Sequence, residues 1–129
     1  MTPERNTAGV AVSPVRRPLA EAEREILETL IETSDRRDLL REQLDSVIVV
    51  GQYPAEDPTI VLSVESRTAA ESRPRETIDG VAVDRIDGGE VQIIVHVVDG
   101  SIDELEFYRY DGEPVHGLPD PATVRPAAG

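Results

Sequence analysis

The stretch VQIIVHVVDGSIDELEFYRYDGEP, Val91 to Pro114, decides the fold class. A long apolar run stops at Asp99-Gly100, a residue pair suited to a tight hairpin turn. The return segment alternates acids with Leu105, Phe107 and tyrosines. Period-two alternation aligns core residues across neighbouring strands. Ile93, Val95 and Val97 therefore share an inward face with Leu105 and Phe107, and Asp99-Gly100-Ser101 is expected to form a three-residue loop. The same register sets His96 opposite Glu104 and Ile94 opposite Glu106. Ile94, His96, Val98, Glu104, Glu106, Tyr108 and Tyr110 then occupy the other face.

Working outward, TIDGVAVDRIDGGE joins a further strand to this hairpin through Asp87-Gly88-Gly89, and TIVLSVES and VIVVGQY alternate as strands bounded by Gly51, Pro54 and Pro58. RTAAESRPRE is polar and reads as a loop. Before Val47 the period becomes helical. PLAEAEREILETLIET places Leu19, Ala22, Ile26, Leu27, Leu30 and Ile31 on one stripe after Pro18, a residue suited to a helix start. TSDRRDLLREQLDS places Leu39, Leu40 and Leu44 on another, with Ser34 or Asp35 as cap. Helices followed by closely spaced strands predict an α+β domain over residues 18–124. Its expected form is two N-terminal helices packed on one face of a roughly five-stranded antiparallel meander. Residues 1–17 read as a flexible arm and 125–129 as a loose C-terminal end.

Composition narrows the function. Acids number 26 against 13 bases, a net charge of −13, and every base is Arg. Such a chain repels nucleic acid phosphates and anionic membranes and attracts basic proteins. Solubility alone, or salt adaptation, would also account for the charge. Aromatics make up 3%, with no Trp, so broad stacking platforms are not expected. With no Cys there is no disulfide, thiolate metal site or cysteine nucleophile. No cofactor motif, signal peptide or membrane-length apolar run occurs, and a cytoplasmic protein is the simplest expectation.

Four readings of His96 compete. A cross-strand pair with Glu104 is the structural one. Catalysis by a small hydrolase or isomerase would use His96 with Glu104 or Glu106, but no serine elbow or phosphate-cradling loop accompanies them. A metal site would need more ligands, and the only other imidazole, His116, lies in a loop beyond a proline. The fourth reading is an exposed contact surface, its tyrosines anchoring a basic protein partner or a second copy of the chain. The acid-rich turns DRIDGGE, DGSIDE and DGE lack the ligand spacing of a calcium loop, so turn formation explains them.

Several segments resemble a family of small bacterial proteins of unassigned activity: RPLAEAEREILETLI (Arg17–Ile31), REQLDSVIVV (Arg41–Val50), DPTIVLSV (Asp57–Val64), VHVVDGSIDELEFYRYDGEP (Val95–Pro114) and LPDPATV (Leu118–Val124). These are helix starts, strands and turns rather than catalytic signatures. Family members carry cysteines and glycines in the loop that reads GQYPAED here, so the resemblance implies no thiol or metal role for this chain.

Overall fold

The computed structural model describes residues 12–54, 56–65 and 74–127. Among them the chain forms β1 (Ser13–Pro18), α1 (Glu21–Ile31), α2 (Arg37–Gln43), β2 (Val47–Gln52), β3 (Ile60–Val64), β4 (Glu76–Val83), β5 (Glu90–Val98), β6 (Ser101–Tyr108), a 3-10 turn at Pro121–Thr123, and β7 (Arg125–Pro126). The architecture is α+β, with the strands in one seven-stranded antiparallel sheet of order β1-β2-β3-β6-β5-β4-β7.

The sheet corrects the expected five-strand meander twice. First, both outer strands come from segments read as loose. The arm ends as β1, whose Pro14 and Pro18 are tolerated because an edge strand leaves one side of its backbone unpaired. Arg17 holds it in place: its guanidinium grips the buried Glu23 carboxylate at 2.9 and 3.0 Å, and its Nε donates to Gln52 at 2.7 Å. Glu23 in turn accepts the Ala20 backbone N–H at 2.8 Å, so α1 begins at Glu21 and Pro18 belongs to the strand. At the opposite edge, Arg125–Pro126 pairs with β4. The remainder of the arm, residues 1–11, the greater part of the RTAAESRPRE loop and residues 128–129 lie outside the described residues.

Second, β3 pairs with β6 and not with its successor β4. β4 already has β5 on one edge and β7 on the other, which leaves β6 with the free edge. Ile60 opposite Leu105 then carries the apolar row from β5 and β6 into β3 and β2.

One apolar cluster joins the layers. Ile26, Leu27, Leu30 and Ile31 of α1, with Leu40 and Leu44 around α2, pack with Val91, Ile93, Val95 and Val97 of β5 and with Leu105 and Phe107 of β6. Leu39, expected on the same stripe, is exposed. α1 approaches β4 so closely that a Cβ on Gly80 would stand 2.5 Å from Leu30 Cδ2, which explains why this mid-strand position is a glycine.

Candidate functional site

The β5–β6 hairpin keeps the expected register in its body: His96 pairs with Glu104 and Ile94 with Glu106. Its turn differs. Asp99 and Gly100 have φ of 51° and 80°, the geometry of a two-residue primed turn, so Ser101 begins the return strand. A register shift between His96 and Val97 compensates. It sets Ile102 opposite Val97 in the core, whereas the three-residue loop would have placed it opposite outward-facing Val98. Gln43 of α2 clamps the turn, donating to Gly100 O at 2.7 Å and accepting from Ile102 N at 3.0 Å.

His96 is buried, and its partner is Glu106 rather than Glu104. Nε2 lies 2.8 Å from Glu106 Oε1, the diagonal neighbour, and Nδ1 lies 3.2 Å from Arg75 Nη1. A guanidinium can only donate, so Nδ1 accepts and the ring proton sits on Nε2, facing the carboxylate. Arg75, just ahead of β4, His96 of β5 and Glu106 of β6 thus form a polar relay with both imidazole nitrogens engaged. That arrangement leaves His96 no open nitrogen for a proton transfer to substrate. It also removes His96 and Glu106 from the exposed contact surface: Glu106 is 3% exposed.

What remains accessible on this face is led by tyrosine. Tyr110 is 78% exposed, and its ring meets that of Tyr108 edge-on with centroids 5.3 Å apart. The Tyr108 hydroxyl donates to that of Tyr110 at 3.2 Å. Burial, the Tyr110 hydroxyl and the nearby carboxylates of Glu106 and Asp79 push the Tyr108 phenol up to about 12. Ile94 is half-buried in the groove beside it, and Val98 and Glu104 are half-buried nearer the hairpin turn. Cross-strand pairing adds Asp79 and Thr77 to the same face, residues that reading the hairpin alone did not place there.

A second polar centre was not anticipated. In the turn between β4 and β5, buried Asp84 accepts backbone N–H groups from Ile86 at 2.8 Å and Asp87 at 3.4 Å. Its other oxygen accepts from His116 N at 3.0 Å, His116 Nδ1 at 3.1 Å and Arg109 Nη1 at 3.1 Å. Burial alone would raise the Asp84 pKa; the N–H groups of Ile86, His116 and Asp87 and the His116 ring outweigh it and hold the carboxyl well below the ordinary range. Arg109 also bonds Asp87 at 2.9 Å and Asp111 at 2.6 Å, which lowers both carboxyls.

His116 therefore joins Asp84, not His96. One donor atom each from Asp84, Asp87 and His116 falls within 4.8 Å of the others, a spacing that suits a metal ion. The Arg109 guanidinium already supplies the positive charge there, and an incoming ion would have to displace it. Chain separation hid this centre: only the fold brings residues 84, 109 and 116 together.

Comparison with protein-family models, curated proteins and solved structures finds no match to this chain. No helix among the described residues is long and apolar enough to cross a membrane.

Proposed function

We propose that this protein is a small acidic interaction domain, of the kind that inhibits or confers immunity against a basic enzyme by docking on it. The helices cover one side of the sheet, and the opposite side meets the partner. The observation that carries the reading is the composition of the accessible part of that face. Tyr110 stands out into solvent beside Tyr108, Asp79 and Glu90 on a chain of net charge −13. Tyrosines of this kind anchor protein contacts, and the surrounding field accelerates encounter with a positive surface while penalising a negative one. The closed Arg75–His96–Glu106 relay supports a binding role over hydrolysis or isomerisation by His96.

The reading is tested by affinity capture from native lysate at low and high salt, followed by rebinding of the purified partner. A basic protein held at low salt, with an association rate that falls steeply as salt rises, is the expected result. If capture yields no such protein and sedimentation shows a tight dimer instead, the face serves a second copy of the chain.

A further inference from the structure

Beside the tyrosine pair runs a groove of about 390 Å³, lined by Asp79, Val81, Glu90, Gln92, Ile94, Tyr108 and Tyr110 among others. Its walls combine two aromatic rings, aliphatic side chains and two carboxylates, and no basic residue among the described ones lines it. Asp79 and Glu90 are both exposed. Neither is strongly neutralised by any described residue. Asp79 has no cationic partner among the described residues, and Arg125 stands 3.9 Å from Glu90, with both side chains more than half exposed. An ion pair that long and that open contributes little and yields readily to a competitor. Tyr110 contributes an accessible π face, which attracts a cation, and half-buried Ile94 offers apolar surface to a methylene stem.

We propose that this groove seats one arginine side chain of the basic partner, with Tyr110 as the aromatic wall and Asp79 as the counter-charge. Glu90 flanks the mouth. This rests on the docking reading above and specifies its centre. Arginine suits the site better than lysine because a planar guanidinium stacks on a tyrosine ring while its edge still donates to a carboxylate. The tyrosine pair is held by its own hydrogen bond, so little freedom is lost when the cation arrives.

The test uses the full chain and two acetylated, amidated tetrapeptides, one of arginine and one of lysine. Amide and tyrosine-ring NMR shifts are followed during titration at low salt. Arginine peptide is expected to move the signals of Asp79, Gln92, Tyr108 and Tyr110. Tyr110→Ala and Asp79→Asn should each weaken it about fivefold, the scale of one exposed cation–π or charge contact. Both positions are exposed, so neither change threatens the fold. Asp38→Asn, on the helical side, is the control and should weaken binding less than about twofold. Equal affinity for the lysine peptide overturns the arginine assignment. An Asp38→Asn loss matching that of Asp79→Asn overturns the groove but leaves the acidic docking face intact. Shifts absent from the groove in a chain that does capture a basic partner also overturn it. Absence of any salt-sensitive basic partner removes the docking reading itself.

Discussion

Loss of Asp84, a buried carboxylate outside the apolar core, should be costly. Its side chain takes up five N–H donors: the backbone groups of Ile86, Asp87 and His116, the His116 ring and Arg109. In Asp84→Asn the shape survives and one oxygen still serves the turn. The new amide group, however, points N–H at N–H toward Arg109 and His116. The Ile86 and Asp87 amides keep the remaining oxygen, and Arg109 keeps Asp87 and Asp111. The loss therefore falls at the lower end for a broken buried pair, about 3 kcal/mol. For a 129-residue chain that lowers Tm by roughly 12 °C at about 4 °C per kcal/mol. The carboxyl is depressed in the fold, so its stabilisation is complete above the unfolded value near 3.9 and is lost as pH falls below it. Urea denaturation from pH 7 down to about pH 2 should thus show a steep acid loss in the native chain and a shallower one in Asp84→Asn. A variant within about 0.5 kcal/mol of the parent at pH 7, with an unchanged acid slope, refutes the claim that this carboxylate organises the turn.

Three other outcomes follow from single contacts. Gly80→Ala drives a methyl into Leu30 and should cost about 1–3 kcal/mol by thermal denaturation. Combined with Leu30→Ala, the loss should be smaller than the sum of the two, because the second change removes the clash. Gln43→Ala deletes both bonds to the hairpin turn; about 1–3 kcal/mol is expected, and faster hydrogen exchange at the Ile102 amide would locate the effect. The Tyr108 phenol, pushed up to about 12, should stay protonated at about pH 11 in a carbon-NMR titration, and Tyr110→Phe should lower it by removing the hydroxyl partner.

What could be read directly was whatever depends on short-range pattern. The Asp-Gly turn and strict alternation place His96 opposite Glu104, and the helical stripe names Ile26, Leu27, Leu30 and Ile31 as core. Period two, however, specifies which face a side chain takes and not which diagonal neighbour it reaches, so Glu106 rather than Glu104 became the partner of His96. β1 escaped notice because SPVRRP has neither alternation nor a β-branched run; its strand form comes from pairing with β2 and from Arg17 gripping Glu23. The Asp84 centre escaped for another reason: its members span more than thirty positions of chain, and no local signal links them.

The partnership of β3 with β6 has a bearing on how the chain is made. On the ribosome, β1, β2 and β3 emerge before the later strands, and one flank of β3 must wait for Leu105, some forty residues later, before its hydrogen bonds are met. Loop closure over that interval is unfavourable until the later hairpin has formed. The order of events implied is that β4, β5 and β6 zip together by their short turns and then capture the waiting half. Slowing translation between residues 64 and 105 would prolong the lifetime of an unsaturated strand, which is the state in which such chains adhere to one another.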